Sequence, residues 1–416
     1  MADIAVLDVR LHSRSIGTLT RLGRDRIVFG FDPQYVDDPD RATLSLSFRD
    51  PFGGLVTDFV PTTTWVHPFF SNLLPEGALR EYLARAAGID PRAEFELLAA
   101  LGEDLPGAVT TLPIDIGPGA GQRAAALGTP DSVVGPRLRP PAPLRFSIAG
   151  VQPKLSAAMA AGKLTIPVHG VGGSWIVKLP SAAFPGLPEQ EHAMMWLAAL
   201  NGIDVPETRL VRVEEIEGLP PAFGTGTGQA LAVRRFDRQD DGTRVHIEDF
   251  AQIQGAHPEQ KYLRAGYREI AEVLGREIGD DAVTEFVRRL VFCAMIGNGD
   301  AHLKNWSVIY PDRRNPQLAP AYDLVSTIAY VDDDRMALEW VSGERGFTDL
   351  SDDLLARLAS GARLAQRPVV SAAREAMTRF LDVWATVKLD LGMPDDMVAG
   401  IERNANRVWR KESVHE

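Results

Sequence analysis

The chain has 416 residues, of which 45% are hydrophobic and 24% charged, and its formal net charge is −12. This composition is typical of an ordinary globular protein, and the length allows two or three domains with complete cores. The acidic balance argues against broad, sequence-independent binding of nucleic acid by the chain alone. No apolar run reaches the roughly 18 residues that a membrane span needs.

The N-terminus and the cysteine content bear on the cellular compartment. Residues 1–10 lack a basic start followed by an apolar stretch, so we expect no secretory signal. The sequence has a single cysteine, Cys293, which excludes an internal disulfide and is typical of a reducing cytoplasm. Because Cys293 falls within an apolar helical pattern, we expect a buried thiol rather than a reactive one.

Residues 1–116 are predicted to form a small α/β domain. In chain order, the pattern predicts strands over residues 4–9, 26–29 and 42–48 and helices over residues 73–87 and 91–101. Residues 117–143 are rich in glycine, alanine and proline with little to bury, so we interpret them as a linker.

The rest of the chain changes from strands to helices. Residues 144–237 are predicted to be a β-rich lobe, with strands over residues 146–158, 174–179 and 229–236 and a helix over residues 188–199. Residues 238–416 are predicted to be a helical lobe, with one helix over residues 282–296. Further helices are predicted over residues 350–413, where Pro394 interrupts the helical pattern. This order predicts an α+β, protein-kinase-like fold of two lobes, with ATP between them.

The most informative segment runs from Asp300 to Asp323. Residues 306–310 and 317–322 read as two strands joined by a loop rich in turn residues. Because an antiparallel pair brings its start beside its end, Asn305 and Asp323 should lie side by side, with Asp300 on the preceding loop. An acid that can accept a proton beside two oxygen ligands for magnesium is what phosphoryl transfer from ATP requires.

Each of these residues also has a simpler explanation. The spacing of Asp300 and Asn305 is common, and Asp300 could merely cap a turn after a helix. Asp323 could be a solvated residue at a strand end, although apolar residues flank it on both sides. The hairpin that joins the three residues favours the catalytic interpretation.

Lys178 lies in the middle of a predicted strand, between valine and leucine. In kinases a lysine at this place contacts the α- and β-phosphates and pairs with a glutamate of the next helix. Glu191 is the expected partner and Glu189 its local rival. The alternative is an edge-strand lysine that points into water.

Four further features are less specific. Gly150, ahead of Lys178, would let backbone N–H groups approach a phosphate, but a glycine within a strand also marks a bulge. The strand that ends at Asp237 could offer its backbone to adenine and Asp237 to ribose, or be a plain strand and turn. His302 lacks a second histidine or cysteine nearby for a zinc site. Lys304 could neutralise the γ-phosphate as its charge develops.

With these motifs the chain resembles the HipA family of toxin kinases. The similar segments follow in family order over most of the chain, at residues 67–77, 97–109, 147–154, 175–180, 233–238, 299–305 and 322–323. The resemblance implies Asp300 as the base with Lys304 beside it, Asn305 and Asp323 as magnesium ligands, and Glu191 in support. For ATP it implies Ala149, Gly150, Val151, Gln152, Lys154, Lys178, Arg234, Arg235, Phe236, Asp237, His302, Lys304, Asn305, Tyr322 and Asp323.

The resemblance also implies an activity, partners and a means of regulation. It implies an ATP- and magnesium-dependent serine/threonine kinase that phosphorylates an aminoacyl-tRNA synthetase and so arrests growth. It implies a helix-turn-helix antitoxin as partner, with DNA reached only through that antitoxin. It implies that Ser147 is autophosphorylated, and the added dianion would expel its loop and inactivate the enzyme.

Two other functions are weighed beside this one. The chain could be a catalytically weak kinase-fold module that acts as a corepressor with a DNA-binding antitoxin. It could also be a metal-dependent phosphohydrolase that uses Asp300, His302 and Asp323, which would leave Lys178 without a role.

Overall fold

The computed structural model describes residues 5–22, 26–63, 65–114, 154–160, 163–166, 173–220, 223 and 227–413. The predicted linker and the predicted phosphate loop, including Ser147, Ala149, Gly150, Val151 and Gln152, lie outside the described residues. Among the described helices, none is both long and apolar enough to cross a membrane.

The N-terminal domain is built on an antiparallel sheet in the order β4-β3-β2-β1-β5. Its strands are β1 (Ala5–Leu11), β2 (Arg14–Leu22), β3 (Arg26–Phe31), β4 (Thr62–Thr63) and β5 (Val109–Ile114). Its helices are α1 (Pro33–Val36), α2 (Pro68–Ser71), α3 (Gly77–Ala87) and α4 (Glu94–Leu101). Leu7, Val9 and Leu11 alternate along β1 and are buried, so one face of the sheet packs on the helices.

The strand predicted over residues 42–48 is wrong. Its alternation is real, because Leu44, Leu46 and Phe48 are buried. However, the backbone finds partners outside any sheet: the N–H of Thr43 donates to the carbonyl of Arg313 over 2.8 Å, and a 3-10 turn covers Leu46–Phe48. Alternation therefore predicted burial correctly but not strand pairing.

The β-rich lobe carries a second antiparallel sheet in the order β7-β6-β8-β10-β9, with one helix against it. The elements are β6 (Lys154–Ala160), β7 (Lys163–Thr165), β8 (Trp175–Lys178), α5 (Leu187–Leu200), β9 (Thr208–Arg212) and β10 (Gln229–Arg234). Leu155 and Val177 belong to the same apolar cluster as Leu7 and Phe95 of the N-terminal domain. The N-terminal domain and this lobe therefore share one core.

The helical lobe surrounds helix α8 and a small sheet in the order β11-β12-β13. The elements are β11 (His246–Asp249), α6 (Phe250–Ile253), α7 (Tyr267–Glu277), α8 (Asp280–Ile296), β12 (Ser307–Tyr310), β13 (Gln317–Leu318), α9 (Asp352–Gly361), α10 (Gln366–Val387) and α11 (Asp395–Ser413). Cys293 on α8 is buried, as predicted. Gly297 ends α8 with a φ of +69°, a left-handed turn that glycine adopts readily and that leads into the Asp300 loop.

Candidate active site

Two lysines face each other across neighbouring strands of the second sheet. The register pairs Lys154 of β6 with Lys178 of β8, and β10 lies on the other side of β8. Side chains opposite each other in an antiparallel pair are close neighbours on one face. Both lysines are buried, so each ammonium group needs a carboxylate or another anion nearby.

Lys178 has two carboxylate partners. Its amine contacts Glu191 of helix α5 and Asp323, and Lys178 and Glu191 are both buried. Burial opposes the charge of Lys178, but the two carboxylates outweigh it and hold its pKa above the usual range. The lysine–glutamate pair is thus the one expected from the sequence, with Glu191 rather than Glu189 as the partner.

Asp323 lies at the centre of the cluster. Its carboxylate also accepts hydrogen bonds from Lys154, at 3.0 Å, and from the amide nitrogen of Asn305, at 3.3 Å. The predicted proximity of Asn305 and Asp323 across the β12–β13 hairpin is confirmed. Burial opposes the charge of Asp323, yet Lys154 and Lys178 lower its pKa well below the usual range, so it is ionised at neutral pH.

The backbone of Asp323 is strained. Its φ is +55°, in the left-handed region that non-glycine residues rarely adopt. A conformation of this kind costs about 1–2 kcal/mol and persists where the surroundings impose it, often at functional sites. In this conformation the carboxylate of Asp323 contacts the two lysines and Asn305.

Asp300 lies on the loop that follows α8. Its backbone N–H donates to the side chain of Asn298 over 3.0 Å, and the hydroxyl of Tyr262 donates to its carboxylate over 2.6 Å. Burial raises the pKa of Asp300, while the hydrogen bond from Tyr262 lowers it and the charge of Asp323 raises it. A raised pKa suits a group that must take up a proton. The sequence did not identify Tyr262, since no spacing pattern connects it with Asp300.

The residues present fit a magnesium–nucleotide complex. The side-chain oxygen of Asn305 is buried and has no hydrogen-bond partner among the described residues, although it lies beside the carboxylate of Asp323. Magnesium is commonly held by one or two protein oxygens together with phosphates and water. Asn305 and Asp323 could supply those oxygens, and Lys154 and Lys178 could face the phosphates.

Lys304 does not join this cluster. Its amine is buried, lies 2.9 Å from the carboxylate of Glu76, and donates to the backbone and side-chain oxygens of Asn72 at 3.2 and 3.1 Å. Asp249 lies 3.8 Å away. The structure therefore corrects the expectation that Lys304 reaches a γ-phosphate, because its amine is directed into the N-terminal domain.

His302 is held against Tyr262, with ring centroids 5.0 Å apart. Burial, and next the charge of Lys261, lower its pKa to about 3, so the ring is neutral at physiological pH. Among the described residues there is no group of three histidine, cysteine, aspartate or glutamate side chains that could hold a metal. The phosphohydrolase alternative therefore gains no support from the structure.

Residues 234–238, at the end of β10 and just after it, include both partly exposed and buried charged side chains. Arg234 is partly exposed and contacts Glu207 and Asp240. Asp237 is buried, and its two oxygens accept hydrogen bonds from Arg235 at 2.8 and 2.6 Å, with further donors from Arg238 and the backbone of Gly107. These contacts favour the structural alternative for Asp237 over a hydrogen bond to ribose.

Two aromatic residues border the cluster. The rings of Phe236 and Tyr322 lie 5.7 Å apart, and the hydroxyl of Tyr322 donates to the carbonyl of Lys304 over 2.8 Å. Tyr322 thereby connects the end of the hairpin with the loop between α8 and β12, residues 297–306, which carries Asp300 and is termed the catalytic loop. A cavity of about 620 Å³ lies elsewhere, beside α10 at Asn201 and Arg379, and contains none of the predicted site residues.

Comparison with known proteins gives a consistent result. Residues 7–112 match the HipA N-terminal domain and residues 146–384 the HipA-like C-terminal domain. The candidate kinase Y4dM of Sinorhizobium fredii is 50% identical over 98% of both chains. The serine/threonine-protein kinase toxin HipA of Shewanella oneidensis is 27% identical over 80% of this chain and 77% of that protein.

A solved structure supports the fold. The structure of the Shewanella oneidensis HipA, HipB and operator DNA complex contains a chain with a TM-score of 0.69 and 22% identity, covering 97% of this chain and 96% of that one. The predicted α+β, kinase-like fold is therefore confirmed. The two domain matches and the extended similarity to Y4dM show that this chain belongs to the HipA family of kinases.

Proposed function

We propose that the protein is an ATP- and magnesium-dependent serine/threonine kinase and the toxin of a toxin–antitoxin pair. The observation that carries the proposal is the convergence of Lys154, Lys178 and Asn305 on the carboxylate of Asp323. Magnesium, when bound, would supply positive charge that neutralises the charge developing on the phosphates. The lysines would orient the phosphates, and Asp300 would accept the proton of the attacking hydroxyl.

The partners are proposed from the family. The related Shewanella structure contains HipA, HipB and operator DNA. We propose a helix-turn-helix antitoxin as partner here, with DNA reached through that antitoxin, because a net charge of −12 suits a basic DNA-binding protein. The proposed substrate is a serine or threonine of an aminoacyl-tRNA synthetase, modified in the cytoplasm.

The decisive experiment compares wild type with Asp300→Ala in a cell lysate supplied with γ-labelled ATP. We expect wild type to label a discrete protein band, to be identified by mass spectrometry, and D300A to label none. Asp382→Ala, an exposed acid on α10, serves as the matched control and should label the same band. Equal labelling by D300A would remove Asp300 from the catalytic role.

Autophosphorylation is tested separately. We propose that Ser147 acquires a phosphate when the protein is incubated with magnesium and ATP, and that its charge reduces activity. Mass spectrometry of the peptide that contains Ser147 decides the point. An unmodified Ser147 in enzyme that labels its substrate fully would contradict it. The corepressor alternative finds no specific support, since Lys178, Asp300, Asn305 and Asp323 are all present.

A further inference from the structure

Residues 67–77 form one of the family-like motifs, but they contribute no side chain to the cluster around Asp323. They form α2 and the turn into α3, and Glu76 is the residue that precedes α3. An acidic residue at this position can interact favourably with the N-terminus of its own helix. The side chain of Glu76 makes no hydrogen bond to the N-terminus of α3. It is directed instead to two lysines of the helical lobe.

Glu76 contacts two lysines of the helical lobe: Lys304 in the catalytic loop and Lys261 in the segment before α7. One carboxylate oxygen lies 2.9 Å from the amine of Lys304, and the other lies 2.9 Å from the amine of Lys261. Both lysines are buried, and the side chain of Glu76 is 12% exposed. Burial opposes its charge, but Lys304 and Lys261 outweigh it and lower its pKa to about 2. Glu76 is therefore charged under all physiological conditions.

Lys261 and Lys304 lie close to the reacting groups in the chain. Lys304 precedes Asn305, the proposed magnesium ligand, and Lys261 precedes Tyr262, whose hydroxyl donates to Asp300 over 2.6 Å. The backbone N–H of Leu303 also donates to the carbonyl of Lys261 over 3.2 Å. Glu76 therefore contacts the catalytic loop directly through Lys304, and indirectly through Lys261, whose carbonyl accepts the hydrogen bond from Leu303.

Neighbouring contacts fix the same segment to the helical lobe. The side chain of Asn72 donates to the carbonyl of Ala256 over 2.7 Å, and Gln252 donates to the carbonyl of Phe69 over 3.0 Å. Both of these hydrogen bonds join neutral groups, so neither neutralises a buried lysine. Among the described residues, Glu76 is the acid that contacts both lysines, and Asp249 lies 3.8 Å from Lys304.

We propose that Glu76 of the N-terminal domain is a positioning residue for the kinase reaction, which holds Lys304 and Lys261 and thereby fixes Asn305 and Asp300. This inference rests on the proposed function. It assigns the N-terminal domain a part in catalysis: removal of its carboxylate leaves two buried ammonium groups without their shared partner, so the loop that carries both reacting groups loses its anchor. A small displacement of catalytic groups lowers the rate of phosphate transfer more than it lowers the affinity for ATP.

The test compares Glu76→Gln with Glu94→Gln. Glu94 is a buried acid of the same domain that accepts hydrogen bonds from Val66, Ser71 and Arg80, and none of its described contacts reaches the helical lobe. We expect E76Q to lower the rate of transfer from γ-labelled ATP at saturating ATP by about 10-fold or more, with a smaller loss of affinity for ATP. E94Q should lower the melting temperature but retain the rate of the folded protein.

Hydrogen exchange provides a second readout that needs no activity. Peptides that cover residues 298–306 should exchange faster in E76Q than in wild type, and E94Q should exchange like wild type there. A wild-type rate in E76Q, or the same loss in both variants, would overturn the inference. If wild type transfers no phosphate, the proposed function fails, and the exchange comparison still decides whether Glu76 anchors the loop.

Discussion

Two buried ionic clusters of this protein have the same kinds of residues and opposite properties. The active-site cluster consists of Lys154, Lys178, Glu191 and Asp323. The interdomain cluster consists of Asp104, Arg235, Asp237 and Arg238. Each contains two cations and two acids, and each joins separate parts of the chain. What differs is whether the central aspartate retains any access to a ligand.

Asp237 is inaccessible to a ligand, whereas Asp323 is partly accessible, so we call their clusters closed and open. The side chain of Asp237 is 2% exposed, and both of its oxygens accept hydrogen bonds from arginines. The side chain of Asp323 is 20% exposed, and beside it the oxygen of Asn305 has no partner among the described residues. Perturbed ionisation alone therefore does not identify the functional site, because both aspartates have strongly lowered pKa values.

The largest effect is expected on activity at the open cluster. Asp323→Asn keeps the size of the side chain but removes the charge that faces Lys154, Lys178 and the proposed metal. We expect phosphate transfer from γ-labelled ATP to fall at least about 100-fold. Circular dichroism should show a folded protein of lower stability, because Lys178 retains Glu191 while Lys154 loses the charge of Asp323. Wild-type activity in D323N would show that the open cluster is not the site of the chemistry.

The next effect is on stability at the closed cluster. Asp237→Asn leaves Arg235 and Arg238 buried without their shared carboxylate. We expect the free energy of unfolding to fall by about 3–5 kcal/mol, as for other buried pairs that lose one partner. Urea denaturation measures this change. A loss of activity in fully folded D237N would restore a role for Asp237 in nucleotide binding.

A smaller effect concerns the pH dependence of the reaction. Tyr262→Phe removes the hydrogen bond that lowers the pKa of Asp300, so that pKa should rise further. Since Asp300 acts in its ionised form, the acid limb of the pH–rate profile should move to higher pH, with little change above neutrality. Rate profiles of the two proteins check this. A limb that stays in place or moves to lower pH would contradict the proposed contact.

A separate effect, on the pH dependence of stability and not on activity, is expected at the buried acid Glu248. Burial raises its pKa to about 7, against hydrogen bonds from Ser45, Tyr310 and the backbone of Leu46. A raised pKa means that the folded protein holds a proton that the unfolded chain releases. Its stabilising contribution is therefore complete below the usual value near 4.5 and is lost as the pH rises through 7.

Glu248→Gln imitates the protonated acid and should remove this dependence. The folded protein should release this proton between about pH 5 and about pH 8. Over that interval, wild type should lose up to about 3 kcal/mol of stability relative to E248Q. Urea denaturation of both proteins at the two pH values measures the difference. Parallel pH dependences would place the pKa of Glu248 near its ordinary value.

The sequence predicted two contacts of the open cluster because each joins residues at most 18 positions apart or follows a strong pattern. The β12–β13 hairpin brings Asn305 to Asp323, and the strand and helix around residues 174–199 bring Lys178 to Glu191. Short loops and simple alternation determine these distances. The lobe order predicted the fold for the same reason.

The sequence could not predict contacts that depend on how the domains pack. Lys304 bonds to Asn72, 232 residues away, and no local pattern distinguishes this partner from a phosphate. Asp237 likewise bonds to Gly107 across 130 residues. Residues 42–48 alternate as a strand does, but Leu46 gives its N–H to the side chain of Glu248. In each case the tertiary partner determined the outcome.

The most direct test of the account is the rate of phosphate transfer per folded molecule in D323N and D237N, measured side by side with γ-labelled ATP and magnesium. Both changes replace the central aspartate of an ionic cluster by asparagine, so the comparison isolates the cluster that is affected. We predict that D237N retains the wild-type rate at a temperature where it is folded and that D323N transfers no detectable phosphate. Activity in D323N together with inactivity in folded D237N would contradict the assignment of the active site to Asp323.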